Sequence, residues 1–293
     1  MKFRFIAAER AFFPIALMCR VLGVTRQGFY AWEGRPVSAR KMRSALLTVH
    51  IREAHRESHC RYGAPRIKEV LAAEGIHTSK KRVAHLMQLA GLKGKKGFRN
   101  KKTTVSNPEH APAPNLLNRN FEASAPNAVW LADATAIWTL QGWLYLAAVL
   151  DLHSRRIVGW AVGSTLSAEL CIAALERAID ERQPPEGLVH HSDRGCTYTS
   201  AEYQAALRRI GAVTSMSRRG NCWDNAPMES FFGTLKVELD LIGHGHLKNR
   251  DQGRAVLFEY VEVFYNRQRL HSKLGYKSPA VYEESPREMG RAA

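Results

Sequence analysis

Cysteine is scarce in this 293-residue chain, and its five copies follow no pattern. An odd number of scattered cysteines without a Cys-x-x-Cys pair excludes a disulfide framework and predicts a reducing compartment. The cysteines are Cys19, Cys60, Cys171, Cys196 and Cys222. His55 and His59 lie close to Cys60, but without a further cysteine pair we interpret the three as helix-surface residues and not as a zinc site.

Long hydrophobic runs are also missing, which excludes a transmembrane helix. A secretory signal peptide is not supported either. Glu9 and Arg10 precede the apolar stretch 11–19, and Arg20 follows it without a small-residue cleavage pattern. We therefore expect a cytoplasmic protein without a membrane partner.

Acidic residues are rare in the first part of the chain. Residues 1–110 hold 23 Lys and Arg against 7 Asp and Glu, whereas residues 111–293 hold 20 of each, so the net charge of +16 is entirely N-terminal. This asymmetry favours a nucleic-acid-binding segment ahead of a balanced core, and it predicts association with the nucleoid. A membrane surface is the competing polyanion, but no long basic amphipathic helix with a Trp, Phe and Leu face is present.

Residues 14–30 have the pattern of a helix-turn-helix, with an apolar helix, a turn at Gly23, a capping Thr25 and a second helix. Arg26, at the start of the second helix, is a candidate DNA contact. A purely structural pair of helices would have a similar sequence. The basic surroundings favour DNA binding.

A second helical unit is predicted between Ala45 and Leu92, with Pro65 opening one helix, Ser79 capping another and Gly91 closing the unit. Basic residues crowd the start of the helix after Ser79, where free backbone N–H groups favour phosphate contacts. These candidate DNA contacts are Lys80, Lys81 and Arg82.

The stretch 93–126 is basic and contains several prolines, which predicts an extended linker able to lie along DNA. Apolar periodicity and turn residues after it predict an α/β core. The predicted strands are 127–138, 142–150, 156–162, 187–191 and 212–216, and the predicted helices are 167–182, 200–210, one carrying Glu229, and 254–265.

Three carboxylates occur where a lone acid is unexpected. Asp133 falls inside a Trp-, Val- and Ile-rich run typical of a strand, and Asp193 follows a short apolar strand at a turn. Glu229 lies in a helix that begins with Asn225, a capping-type residue, and Pro227. Taken singly, each acid has a plain explanation: a hydrogen-bonded strand acid, an Asx turn and a first-turn acid favoured by the helix dipole.

Taken together, with 35 residues between Asp193 and Glu229, the acids predict a metal site. Like charges brought together from two strands and a helix repel unless cations neutralise them, and oxygen-only ligands favour two Mg²⁺ ions, with Mn²⁺ as a substitute. Such ions activate a water or a 3′-hydroxyl and stabilise the leaving oxygen of a phosphodiester. Lys236, seven residues after Glu229 on the same helix face, would hold a phosphate beside them.

The segment 217–225 carries Gly and Asn and predicts a surface loop. We expect this loop to be mobile and to become ordered on DNA, although a plain surface loop has the same composition. Its candidate DNA contacts are Arg218, Arg219 and Asn221.

An ordered set of short motifs spans nearly the whole chain. In the core the motif residues are Trp130, Asp133, Thr135, HSDRG at 191–195, Tyr198, Ser200, GNCWDNA at 220–226, ESFF at 229–232, Leu235, Lys236 and Glu238. Further along they are Tyr265, Asn266, Arg269, His271, LGY at 274–276, Ser278 and Pro279; ahead of the core they are YGAPRI at 62–67 and KRV at 81–83. Together these motifs resemble the insertion-sequence transposases of the OrfB type, whose catalytic core is similar to that of retroviral integrases. Two departures from the family pattern, Ala132 for Thr and Thr197 for Gln, leave the three acids intact.

The resemblance implies a D,D(35)E triad of Asp133, Asp193 and Glu229 on an α/β fold, a ribonuclease H-like mixed sheet with flanking helices, preceded by small all-α helix-turn-helix regions. It implies a DNA transposase that binds terminal inverted repeats, nicks at the 3′ end and transfers the strand to target DNA. It further implies a homo-oligomer on paired ends and an upstream-frame DNA-binding protein as a fusion or partner.

We expect five segments along the chain. They are a helix-turn-helix-like segment at 1–40, a second helix-turn-helix-type DNA-binding region at 41–92, the linker at 93–126, the integrase-like core with its C-terminal helix at 127–285, and a tail at 286–293. Two other functions stay open. A DNA-binding repressor with a dead nuclease core would need no acids at the three positions, and a repair or RNA-cleaving nuclease would hydrolyse without joining.

Overall fold

The computed structural model describes residues 1–95, 113–218, 222–241 and 247–285, which contain a central sheet of five strands in the order β3-β2-β1-β4-β5. The strands are β1 Val129–Thr139, β2 Gly142–Asp151, β3 Ile157–Gly163, β4 Val189–Ser192 and β5 Val213–Met216. The first three strands pair antiparallel, whereas β4 pairs parallel with β1, and β5 pairs parallel with β4. This mixed sheet with flanking helices confirms the predicted ribonuclease H-like fold.

Helices precede, interrupt and follow the sheet. Those ahead of it are α1 Lys2–Glu9, α2 Ile15–Val21, α3 Arg26–Glu33, α4 Ala39–Glu57, α5 Ala64–Ala73 and α6 Lys80–Leu89. The others are α7 Ala168–Arg182, α8 Cys196–Thr199, α9 Ala201–Arg209, α10 Ala226–Glu238, α11 Arg250–Phe258 and α12 Pro279–Glu284. Short 3₁₀ turns lie at Cys222–Asn225 and Ser272–Leu274, and a π-helix, Glu259–Tyr265, continues α11.

The predicted strands and the two helices between them are present, with ends within two residues of the prediction. The predicted helix 254–265 differs. It begins earlier, because the Asn249 side chain accepts a hydrogen bond from the Gln252 N–H at 2.7 Å and caps the helix there. After Phe258 the helix widens into the π-helix.

Alternating strand residues supply two apolar layers, one on each face of the sheet. Trp130 and Ala132 of β1 pack toward α7 and α9, whereas Leu131 and Ile137 pack in the layer that also contains the buried residues of α10. Gly159 of β3 permits close packing on α7, because an added Cβ would lie 2.2 Å from the Ala174 carbonyl oxygen. The alternation therefore decides which strand side chains face α10.

The first three helices have a small core of their own, built around Ile6, Met18 and Phe29. The turn between α2 and α3 contains Gly23 at φ +61°, and the Thr25 hydroxyl accepts the Gly28 N–H at 3.0 Å. The structure thus has the helix, turn, cap and helix that the sequence predicts for residues 14–30.

The second helical unit, α4 to α6, packs on the segment that follows the π-helix. The Tyr62 hydroxyl accepts the Leu270 N–H at 2.8 Å, and Arg66 Nε donates to the Leu270 carbonyl at 2.8 Å. The Arg61 guanidinium lies 4.1 Å from the centre of the Phe264 ring, within cation–π range. The apolar core of this unit is continuous with the α10 face of the sheet.

The later part of the predicted linker packs against the core. Asn115 Nδ2 donates to Asp224 at 2.9 Å, the Leu116 N–H donates to Ser215 Oγ at 2.9 Å, and Leu117 is buried in the apolar layer. These contacts hold residues 113–126 on the surface of the sheet domain. Residues 96–112 of the predicted linker and the predicted tail lie outside the described ranges.

A buried ion pair anchors the C-terminal end of α10. Arg269 donates to both carboxylate oxygens of Glu238, with Nη2 at 2.8 Å from Oε1, and the Tyr260 hydroxyl donates to Oε2 at 2.8 Å. Both charged side chains are 5% exposed. Water therefore cannot replace either partner if the other is removed.

We predict that Glu238→Gln lowers the free energy of unfolding by about 3 kcal/mol, because Arg269 then keeps a buried charge without a counterion. Urea unfolding at pH 7 measures the effect. Glu53→Gln is the matched control: it removes an exposed pair with Arg56, whose atoms are 3.4 Å apart, and should change the value by less than about 0.5 kcal/mol. Equal losses in both variants would contradict a special role for the buried pair.

Candidate active site

Asp133 and Asp193 come from two neighbouring strands in the middle of the sheet: Asp133 lies inside β1, and Asp193 directly follows β4. Leu131 of β1 is aligned with His191 of β4 in the parallel pair. Asp133 lies two residues after Leu131, and Asp193 lies two residues after His191. Residues two apart on a strand face the same side, and neighbouring strands run about 4.8 Å apart. Because Leu131 packs in the layer that contains α10, the alternation along β1 directs Asp133 toward that helix, and Asp193 lies one residue past the end of β4.

Each strand acid accepts one backbone hydrogen bond. Asp133 Oδ1 accepts the Ala134 N–H at 2.7 Å, and Asp193 Oδ1 accepts the Gly195 N–H at 2.9 Å. The Asp193 bond is the Asx-type turn that the sequence offered as a plain explanation. Neither acid forms an ion pair with a described residue.

Helix α10 packs against β1 and carries the third acid. Its buried residues are Pro227, Met228, Phe231, Phe232, Leu235 and Glu238. Glu229 is exposed and Lys236 is half-buried, so the two lie away from the packed face. The sequence suggested that the Asn225 side chain caps this helix, but it does not. The Asn225 Nδ2 donates instead to the carbonyl of Ala132, the residue before Asp133, at 3.3 Å.

The electrostatics connect the predicted site residues. Burial, together with the charges of Asp193 and Glu229, raises the pKa of Asp133 to about 8, although the hydrogen bond from the Ala134 N–H and the charge of Lys236 act to lower it. Burial also raises the pKa of Asp193 and lowers that of Lys236, the latter partly offset by Asp133. The charges of Asp193 and Glu229 therefore oppose the ionisation of Asp133.

Oxygen-only donors of this kind suit a hard divalent cation. In the described part of the chain, no three His, Cys, Asp or Glu side chains are gathered closely enough to hold one metal ion as they stand. The donor set fits such an ion chemically, because Asp133 and Asp193 lack a neutralising partner. Glu229 lies on an exposed helix face and does not complete a group of three metal ligands with the two aspartates.

A second charged cluster, around Asp224, was missed at the sequence level. Asp224 is fully buried immediately before α10; Arg218 Nη2 donates to it at 2.8 Å and Arg119 Nε at 3.0 Å. Hydrogen bonds from Arg218 are the main cause of the strongly lowered pKa of Asp224. The only sequence signal for this cluster was the motif at 220–226, which gives no hint that Arg119 is the distant partner.

The remaining candidate DNA contacts fall into three groups. Arg26, Lys80 and Lys81 are exposed at helix starts, whereas Arg82 Nη2 donates to Ser44 Oγ at 2.9 Å. Arg218 pairs with Asp224, although half of its side chain remains exposed. Arg219 and Asn221 lie outside the described residues.

Family models match both halves of the molecule. A model described as Integrase core domain matches residues 123–222, and a second with the same description matches residues 229–286. A model described as HTH-like domain matches residues 42–102. The fold, the acids at β1 and β4 and these matches define an integrase-core protein with a DNA-binding helical domain.

Similar proteins are known from several insertion sequences. The chain is 44% identical to the "Insertion element IS600 uncharacterized 31 kDa protein" of Shigella sonnei, covering 93% of this chain and 99% of the relative. It is 42% identical to "Transposase InsF for insertion sequence IS3A" of Escherichia coli (strain K12), covering 97% and 98%. The "Transposase for insertion sequence element IS904" of Lactococcus lactis is 43% identical, with 85% and 98% covered. The chain belongs to the insertion-sequence transposases, which act in DNA transposition.

More distant likenesses occur among solved structures. A chain of the simian T-cell lymphotropic virus intasome in complex with PP2A regulatory subunit B56 gamma has a TM-score of 0.48 and 17% identity, covering 81% of this chain and 76% of that chain. The HTLV-2 integrase catalytic core domain in complex with magnesium has a TM-score of 0.42 and 16% identity, covering 55% and 99%. No helix in the described ranges has the length and hydropathy needed to cross a bilayer.

The raised pKa of Asp133 generates a pH-dependent stability prediction. The folded protein keeps this proton up to a pH of about 8, whereas the unfolded chain loses it near the ordinary value of 3.8. The folded state therefore binds more protons between these values, and the Asp133 contribution makes stability fall as pH rises through that window. We expect Asp133→Asn to gain stability relative to the parent between pH 5 and pH 8.

Urea unfolding in EDTA at several pH values measures that difference. Asp180→Asn is the matched control, because Asp180 is an exposed acid on α7. The control should show no comparable gain. A difference between Asp133→Asn and the parent that stays flat across this window would contradict the raised pKa.

Proposed function

We propose that this chain nicks the 3′ ends of an insertion sequence and transfers them to target DNA, with Asp133, Asp193 and Glu229 as its catalytic acids. The observation that carries the proposal is the pKa of Asp133, which burial, together with the charges of Asp193 and Glu229, raises to about 8. Acids that serve only the fold are usually stabilised in their charged form by partners. A group that disfavours its own ionisation is typical of catalytic sites.

Divalent cations would resolve this opposition. We infer that Asp133 and Asp193 jointly hold two Mg²⁺ ions, for which Mn²⁺ can substitute, and that Glu229 completes the second site. When bound, the ions supply activation of the oxygen nucleophile and stabilisation of the leaving oxygen. The exposure of Glu229 supports this role, because its side chain is free of competing packing.

Lys236 is proposed to position the DNA end. It lies two turns after Glu229 on α10, and its charge interacts with Asp133. Its half-buried ammonium group is held close to the site by the helix, so it can bind a phosphate without first losing much conformational freedom. A fixed cation beside the acids would hold the scissile phosphate in a reactive orientation.

The two helical regions are proposed to bind the terminal inverted repeats. Support comes from the exposed basic residues at their helix starts, Arg26, Lys80 and Lys81, and from the N-terminal charge excess. Phosphate contacts by such residues release counterions and make binding fall steeply with salt. Arg82, Arg218, Arg219 and Asn221 are further candidate contacts.

The wider organisation is also a proposal. We infer helical DNA-binding regions at 1–40 and 41–92, a connecting stretch at 93–126, the catalytic core at 127–285 and a tail at 286–293. Two subunits would act on paired ends, since one reaction must be performed at each end of the element. An upstream-frame DNA-binding protein would join as a fusion or partner, and the complex would act on the nucleoid in the cytoplasm.

We predict that the full chain, given Mg²⁺ and duplexes carrying the element's ends, releases a 3′-hydroxyl and joins it to a second duplex. Asp193→Asn should lower both rates by roughly 10²-fold or more, because it removes a charge that acts on the transition state. Denaturing gel analysis of end-labelled oligonucleotides measures both products, and EDTA should abolish them.

The same assay separates the alternatives. A parent protein that binds DNA but yields neither product would favour a repressor with a dead nuclease core. Cleavage without any joined product would favour a hydrolytic nuclease. Asp180→Asn, the exposed acid on α7, is the control and should leave both rates unchanged.

For Lys236 we predict a positioning effect. Lys236→Gln should slow single-turnover nicking by roughly 10²-fold, because the terminal phosphate loses its fixed cation. Lys236→Arg keeps the charge and should recover most of the rate. If the Arg and Gln variants are equally slow while both remain folded by circular dichroism, the side chain acts through packing and the proposed role is wrong.

A further inference from the structure

A cavity of about 410 Å³ lies against a flank of α10 that the proposed catalytic acids do not use. Ser230 and Thr234 of α10 line it, and on an α-helix these positions are turned by about 100° or more from Glu229. The volume is within the range typical of small-molecule binding sites. The cavity therefore adjoins the catalytic helix without being part of the acid site.

Basic side chains outnumber acidic ones in the lining. Arg119, Arg155, Arg269 and Lys273 line the cavity, against a single acid, Glu122, which is exposed. Two of the arginines are neutralised elsewhere, since Arg119 pairs with Asp224 and Arg269 pairs with Glu238.

Arg155 and Lys273 form no ion pair within 4.0 Å with a described residue. Among these residues, the Arg155 side chain donates to the Phe121 carbonyl, from Nη2 at 3.0 Å. Burial lowers the pKa of Arg155, although the charges of Tyr265 and Asp151 act to raise it, so its charge is held at a cost in an enclosed position. Two positive charges without a directly paired acid in one cavity create a site of positive potential.

His271 adds an independent observation. It lines the cavity, and its Nδ1 is buried without a hydrogen-bond partner. Burial, together with the charges of the nearby Arg269, Arg155, Arg66 and Lys273, lowers the pKa of His271 to about 4. The ring is therefore neutral at physiological pH, and a neutral imidazole can donate one N–H to an acceptor oxygen.

We propose that this cavity binds a phosphate oxyanion, with Arg155 and Lys273 as counter-charges and His271 as a hydrogen-bond donor. Ser230 and Thr234 supply hydroxyl donors from the other wall. Resting on the proposed function, we assign the ligand first to a backbone phosphate of bound DNA. A free phosphate compound has the same chemistry and is distinguished by the test below.

The test measures DNA binding apart from catalysis. In the full chain carrying Asp193→Asn, Lys273→Gln and Arg155→Gln are compared singly and together by fluorescence anisotropy on a terminal-repeat duplex and an unrelated duplex of equal length. Each lost phosphate contact should reduce the slope of log K against log salt by roughly 0.9. Affinity at low salt should fall several-fold in each single variant.

Arg208→Gln is the matched control, an exposed arginine on α9. Lys273 is exposed, so Lys273→Gln keeps the test decisive if loss of the Arg155 bond to Phe121 disturbs the fold. Thermal unfolding with and without inorganic phosphate provides the second arm.

The outcomes separate the two ligand sources from failure. Reduced slopes on DNA support a backbone-phosphate site. A site for a free phosphate compound is supported by a different pair of results. DNA binding is then unchanged, and inorganic phosphate stabilises the parent and Arg208→Gln but neither cavity variant. Unchanged slopes and no differential stabilisation overturn the inference. The proposed function is tested separately, in the strand-transfer assay. It fails if the parent, with Asp193 intact, makes no joined product, and that result does not depend on the cavity variants.

Discussion

Burial of the Asp133 carboxylate beside the charges of Asp193 and Glu229 is the constraint on which the proposed site depends. Asp133 lies inside β1, and Asp193 directly follows β4, the strand that pairs parallel with β1, so backbone pairing brings the two acids near each other. Apolar layers on both faces of the sheet stabilise this pairing. Burial, together with the two neighbouring charges, raises the pKa of Asp133 to about 8, which favours the protonated acid in the absence of a further positive charge.

Helix α10, which carries Glu229, is held in place by contacts at both of its ends. At its start, Asn225 bonds the Ala132 carbonyl, and the adjacent Asp224 is held by two arginines. At its end, Glu238 is locked by Arg269 inside the apolar layer. Between these anchors the buried face packs on the sheet. Glu229 and Lys236 lie on the part of the helix that packing does not use.

Local patterns were sufficient to predict much of this arrangement. Apolar periodicity and turn residues predict the strands of the core, and the family motifs imply that Asp133, Asp193 and Glu229 share a site, for which the pKa of Asp133 gives electrostatic support. The missed features depend on contacts between distant residues. Nothing near Asn115 or Arg119 indicates that they bind Asp224 more than 100 positions away, and Asn225 resembles a cap although its side chain bonds a strand.

The segment 268–271 joins features that the sequence presents as separate. Arg269 bonds Glu238 on α10 and lines the basic cavity, while both backbone polar groups of the next residue, Leu270, are bound by Tyr62 and Arg66 of the second helical unit. These are directional contacts in a close-packed interior, where displacement of one partner strains the others. A movement of the helical unit on DNA would therefore alter the support of Arg269 and, through Glu238, the anchored end of the helix that carries Glu229. The docking of the second helical unit on this segment thus connects that unit, through Arg269 and Glu238, to the helix that carries Glu229.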